Sequence, residues 1–202
     1  MVMNLKTPYL SKTLLGMLAL ISLGLSGKDQ GSDQKLASAR TLMDFNEPNT
    51  ESPWLAVNDG VMGGLSQGTA AIKEGLLHFS GILSLENNGG FSSIRTPCTG
   101  DDLTGAKHMI LRVKGDGRTY QLRISTDARF RGSRISYGAE FATKADEWIE
   151  VTVPFATLKP TYRGNTLDGP PLELSKIEEV GLLIGDKRSG SFSLKVDWIK
   201  AG

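Results

Sequence analysis

The chain has 202 residues, enough for one domain and a tail, and 39% of them are hydrophobic, which supplies a core. Lys and Arg number 23 against 22 Asp and Glu, a net charge of +1 that excludes the basic footprint of a nucleic-acid-binding protein and a polybasic membrane patch. A single cysteine, Cys98, excludes an internal disulfide; with neither His78 nor His108 suitably placed to activate it, it reads as a small buried hydrophobe and not a catalytic thiol.

At the N-terminus, Lys6 and Lys12 precede an apolar run at residues 13–25 that ends in Ser26 and Gly27. A charged start, a short apolar block and small terminal residues predict a signal peptide over residues 1–26, with Gly24 and Ser26 placed for cleavage before Gly27. The run falls short of the roughly 20 apolar residues of a spanning helix. No cysteine follows it, which excludes a lipoprotein anchor; an uncleaved N-terminal anchor is the alternative and the one route to a membrane. The solid apolar block, with no arginine before Arg40, is unlike a mitochondrial presequence. The expectation is an exported protein, periplasmic or lumenal. Residues 27–39 are small and polar and read as a flexible linker, which leaves residues 40–202 as the domain.

From Thr41 onward, short alternating runs are separated by Gly, Pro, Asp and Asn. A short helix near residues 47–54 is compatible with the pattern. Residues 76–85 predict a strand interrupted at Gly81, and residues 91–96 a second one. Residues 108–114 and 120–125 follow, the latter with Tyr120, Leu122 and Ile124 on one side and Gln121, Arg123 and Ser125 on the other. Residues 135–143, 148–155, 179–185 and 191–199 complete the set, with at most one helical turn at residues 175–179. Period-2 alternation over such lengths, with turn signals between, predicts an all-β fold, an antiparallel β-sandwich or jelly roll.

Two loops stand out. Asn58-Asp59-Gly60 with Gly63-Gly64, and Asn87-Asn88-Gly89-Gly90, each set turn residues beside a glycine pair. Each reads as a tight turn and bulge or as the lining of a pocket, with Asp59 as acceptor and Trp54 as a stacking wall, a combination that suits sugars. Arg95 continues the second loop's strand and needs a carboxylate, from Glu86, Glu140 or Asp59, or a ligand. Arg123 and Glu140 are placed to pair across strands. Arg163-Gly164 is a loop that either clamps a carboxylate or faces solvent. Residues 185–190 read as a hairpin turn; they lack the helix and spacing of a phosphate loop. Asp101-Asp102 has too few acidic partners to hold Ca²⁺. No nucleophile–base set or metal cluster accompanies these loops, so the reading is non-enzymatic, with no cofactor and no metal. A carboxylate pair of Asp59 with Glu86 or Glu140 is the enzymatic alternative.

Residues 57–68 (VNDGVMGGLSQG), 85–96 (LENNGGFSSIRT) and 181–199 (GLLIGDKRSGSFSLKVDWI), with GDGRTYQLRI, EWIEVTVPF and YRG between them, resemble the complex I intermediate-associated protein 30 family over about residues 42–200. The resemblance implies a galactose-binding-like jelly roll without known catalytic residues. It also implies an assembly-factor or chaperone-like role, since mitochondrial members hold intermediates of respiratory complex I. The motif residues carried over by position are Asn58, Asp59, Gly63, Gly64, Asn87, Gly89, Gly90, Arg95 and Arg163. The expected partner is a protein, such as a membrane-complex intermediate, gripped through the Gly-rich loops. A carbohydrate-binding module contacting glycan is the alternative.

Overall fold

The computed structural model describes residues 39–46, 53–98 and 101–202. The predicted signal segment and residues 47–52, where a short helix was compatible, lie outside the described residues. The described residues all fall within the unit Lys35–Gly202.

In chain order the strands are β1 (Arg40–Asp44), β2 (Leu55–Asn58), β3 (Gln67–Lys73), β4 (Leu76–Leu83), β5 (Ser92–Pro97), β6 (His108–Lys114), β7 (Thr119–Thr126), β8 (Arg129–Phe130), β9 (Ser133–Arg134), β10 (Ser136–Ala142), β11 (Trp148–Pro154), β12 (Lys159–Tyr162), β13 (Asn165–Thr166), β14 (Ile177–Ile184) and β15 (Gly190–Ala201). They pair antiparallel into two main sheets. One runs β11-β6-β15-β4-β3, with β1 on the far end of β15; the other runs β13-β12-β10-β7-β14-β5-β2. The helical turn expected at residues 175–179 is a single 3₁₀ turn, Leu174–Lys176.

The alternation of each strand fixes which face it buries. Tyr120, Leu122 and Ile124 of β7 and Val180, Leu182 and Ile184 of β14 meet Leu77 and Phe79 of β4, Leu111 and Val113 of β6 and Leu194 and Val196 of β15, all with no exposed surface. Each such side chain contributes about 1.5–3 kcal/mol by leaving water. Phe79 lies edge-on to Phe192 at 4.9 Å, the favoured aromatic geometry. Cys98 is buried as expected, and burial together with the neighbouring Asp101 carboxylate pushes its thiol up to about 12.

Two expectations are corrected. Strand β4 runs unbroken through Gly81. A Cβ there would stand 1.9 Å from the Gln67 carbonyl oxygen, so the glycine permits a close approach of β3 and does not end the strand. Residues 185–190 are not a hairpin turn, because β14 and β15 belong to different sheets. Here the chain crosses the sandwich, and Arg118 pins the crossing. Its guanidinium donates to Asp186 at 2.6 and 3.0 Å, to the Ser191 carbonyl at 2.9 Å, and to the carbonyls of Gly190 and Arg188. Both side chains are under 10% exposed.

Candidate binding groove

The first glycine loop is organised around Asp59. It opens a 3₁₀ turn, Asp59–Met62, directly after β2, and its side chain has no exposed surface. The carboxylate accepts hydrogen bonds from Ser66 N (2.9 Å), Ser66 Oγ (2.5 Å), Gly90 N (2.6 Å) and Phe91 N (3.2 Å). Burial alone would raise its pKa; the four donors outweigh burial and hold the carboxyl below the ordinary carboxylate value. The loop glycines make the room. A Cβ on Gly64 would fall 2.3 Å from the Asp59 Cγ, and one on Gly89 would fall 2.7 Å from its Oδ2. The two glycine loops are therefore one structure, clamped on a buried acid.

Asn58 adds a second clamp. Its Oδ1 accepts from Gly68 N (3.1 Å) and Ser92 Oγ (2.7 Å), while its Nδ2 donates to the Gly68 carbonyl at 3.2 Å, tying β5 of the seven-stranded sheet to β3 of the other. Gly63 closes the 3₁₀ turn in the left-handed region at φ 90°. Asn87 also adopts left-handed backbone, and its side chain is exposed. Trp54 is half-buried against Phe45, ring centroids 6.1 Å apart, and its indole N–H has no hydrogen-bond partner among the described residues. Both oxygens of Asp59 are engaged by donors and enclosed, so the carboxylate acts as the hub of the loop contacts.

The clamp holds out apolar side chains. Val61 is 77% exposed, Met62 60% and Leu65 51%. Val61 and Met62 stand at one side of a groove of about 1140 Å³ on the outer face of the seven-stranded sheet. Phe91, Leu183, Gln121, Glu140 and Arg123 also line it, and Lys159, Thr161 and Arg163 contribute from the far side. Arg163 projects from the two-residue turn between β12 and β13, at φ 48°, with its guanidinium 5.3 Å over the Tyr162 ring.

The groove floor follows from strand register. Across the sheet Arg95 pairs with Gly181, Gly181 with Arg123, Arg123 with Gly138, and Gly138 with Lys159. Directly paired residues share a face, so this row sets cations on alternate strands with glycines between them. The space above Gly138 is taken by Arg123: a Cβ on Gly138 would stand 3.2 Å from the Arg123 Cδ. Arg123 is half-buried, and its guanidinium donates to Ser136 Oγ (2.9 Å), Gln121 Oε1 (3.2 Å) and Thr161 Oγ1 (2.9 Å). Its expected pairing with Glu140 does not occur. Arg123 lies opposite Gly138, and Glu140 lies opposite Gln121, whose Nε2 donates to it at 3.4 Å. Burial lowers the Arg123 pKa, although an arginine keeps its charge at any pH of interest.

Of the residues singled out from sequence, Arg163 lines this groove, as do Arg123 and Glu140 of the expected cross-strand pair. Arg95 lines an adjoining depression of about 150 Å³ and reaches Glu179 at 3.7 Å, not Glu86, Glu140 or Asp59. Asn58, Asp59, Gly63, Gly64, Asn87, Gly89, Gly90 and Trp54 lie outside the lining of both. Arg123 was legible as a polar-face residue and a cross-strand partner for Glu140, not as a groove residue. The signal that could have found it is a pair of glycines, Gly138 and Gly181, at mid-strand positions where glycine marks a close approach.

Solved structures with the same architecture include the family 11 carbohydrate-binding module of the Clostridium thermocellum cellulase Lic26A-Cel5E, with a TM-score of 0.61 and 13% identity over 81% of this chain and 94% of that one. A family 30 module from the same organism superimposes with a TM-score of 0.53 and 12% identity over 81% and 96%. The fold is thus the galactose-binding-like antiparallel β-sandwich that the resemblance implied. In sequence, the chain is 27% identical over 188 residues to mitochondrial Complex I intermediate-associated protein 30 of Mus musculus, covering 81% of this chain and 56% of the relative. It is 23% identical over 180 residues to the Drosophila melanogaster protein of that name, covering 78% and 61%. The chain therefore spans less than two thirds of these curated relatives. The model of the Complex I intermediate-associated protein 30 family matches residues 43–196, and the chain belongs to that family.

Proposed function

We propose that the protein is a non-enzymatic assembly factor that holds a segment of a protein partner in the groove. The observation that carries this reading is the pair Val61 and Met62, 77% and 60% exposed and held at the groove by the Asp59 clamp. Large apolar side chains kept in water beside a concave polar surface mark interaction sites. On this reading the glycine loops act through what they hold out: Asn58, Asp59, Gly63, Gly64, Gly89 and Gly90 build the support, and Val61, Met62, Arg123 and Arg163 meet the partner. The relatives' name, with its association to complex I intermediates, supports a partner within a multi-subunit assembly. Residues 1–26 are proposed to export the chain, which fractionation of the tagged full-length protein tests. No helix among the described residues is long and apolar enough to cross a membrane.

A glycan ligand is the second reading, favoured by the planar polar groups of Gln121, Glu140 and Arg123 near the ring of Phe91. Among the described residues, Phe91 is the lone aromatic in the groove lining, a thin stacking platform for a sugar. The test is capture by the full-length protein from native membranes and soluble extract, beside a Val61→Ser/Met62→Ser variant and a glycan array. A protein retained by the native chain and lost by the variant supports the assembly reading. Retention of glycan with no protein lost by the variant overturns it.

A further inference from the structure

We infer that the groove selects a partner segment bearing carboxylate side chains, and that Arg123 is the residue that reads them. This deepens the proposed function and rests on the groove being a protein-binding site.

A guanidinium carries five N–H groups in a planar fork. In Arg123 three of its hydrogen bonds go to neutral oxygens of Ser136, Gln121 and Thr161, so N–H groups on both terminal nitrogens stay uncommitted. Among the described residues no carboxylate reaches Arg123, whereas three other arginines on this side of the sheet each have one. Arg95 has Glu179, Arg134 has Glu178 and Glu179, and Arg129 has Glu178. A half-buried cation without a counter-charge is costly. It is held in place here by three oriented acceptors and by Gly138, whose missing side chain lets it lie along the floor.

The surroundings lean the same way. Among the charged residues lining the groove, Arg123, Lys159 and Arg163 are cationic and Glu140 is acidic. Arg123 and Lys159 stand two strands apart in one row, about 9.5 Å at ordinary strand spacing. The floor thus presents two cations to one bound segment, beside the apolar pair Val61 and Met62. A segment that carries both acidic and apolar side chains complements both features. A bidentate carboxylate on the Arg123 fork supplies the partner that the fold leaves out.

The test is selection from a random peptide library on the immobilised full-length protein, run in parallel on Arg123→Gln, Arg123→Lys and Val61→Ser/Met62→Ser. The expected result is enrichment of peptides that combine Asp or Glu with apolar residues. Affinity for an enriched peptide should fall about tenfold or more in Arg123→Gln and on replacing its acids with amides. Arg123→Lys should keep a preference for acids at reduced affinity, since the charge remains and the fork is lost. Peptides enriched for apolar residues alone, with affinity lost in the Val61/Met62 variant and unchanged in Arg123→Gln, would overturn this inference and leave the groove reading standing. No enrichment over the Val61/Met62 variant would overturn both.

Discussion

Arg118 and Arg123 sit five positions apart, at the start and in the middle of the same strand region, and their surroundings differ in kind. Arg118 is almost wholly enclosed and saturated: a carboxylate on two nitrogens and three backbone carbonyls around it. Arg123 is half-buried and meets neutral oxygens alone. The saturated arginine fastens the crossing from β14 to β15, so its charge is used up in the fold. The other lines the groove and keeps N–H groups uncommitted. A similar contrast separates Asp59, whose oxygens are engaged by four donors, from Val61 and Met62, which the same turn leaves in solvent. In this sandwich the satisfied charges of Arg118, Asp186 and Asp59 belong to the frame, and on the proposed reading Arg123, Val61 and Met62 are what a partner would meet.

The sharpest way to break this contrast is to remove its structural half. Arg118→Met leaves Asp186 buried without a cation and should cost about 3–5 kcal/mol in urea unfolding; a loss below about 1 kcal/mol would show that the crossing does not depend on the pair. Asp59→Asn should cost about 1–3 kcal/mol at neutral pH, because donors that now meet a carboxylate meet an amide in part. The pH dependence has a definite sign. The folded pKa of Asp59 is depressed, so its contribution is complete above the unfolded value near 3.9 and is lost as pH falls through the lower folded value. Unfolding measured across acidic pH should therefore fall less steeply for Asp59→Asn than for the native chain. Part of the slope should remain, since Arg118 depresses Asp186 as well.

Smaller effects test the other half. Arg123→Gln should shift stability by less than about 1 kcal/mol in either direction, because relief of an uncompensated, partly desolvated charge offsets the hydrogen bonds lost. A loss matching that of Arg118→Met would make Arg123 a structural residue. Smallest of all, Val61→Ser/Met62→Ser should leave unfolding within about 0.5 kcal/mol, since both side chains are already in water. The same variant should lose partner capture.

Much of the sandwich was legible because alternation reports burial directly. Tyr120, Leu122 and Ile124 could be assigned to the core from spacing alone, and residues 108–114 were bounded as the strand stands. Pairing was less legible. The turn chemistry of residues 185–190 fits a hairpin equally well, and the crossing is fastened by Arg118, which is distant in sequence and is brought to Asp186 by the pairing of β7 with β14. Gly81 looked like a break because a glycine that lets two backbones approach has the same local signature as one that ends a strand. The two glycine loops were visible as a unit of interest. That Asp59 joins them from inside depends on a 2.6 Å contact between residues 31 positions apart. The groove floor was least legible, because it is a row across five strands, and register, which no single run of residues carries, sets Arg123 between Gly181 and Gly138.

The central claim, that the outer face of the seven-stranded sheet is the binding surface, is tested most directly by hydrogen–deuterium exchange of the full-length protein with and without a captured partner or selected peptide. Exchange should slow at residues 60–64, 121–123, 138–140 and 159–164, with β3 and β4 unchanged. Protection on β3 and β4 with the groove strands unaltered would contradict it.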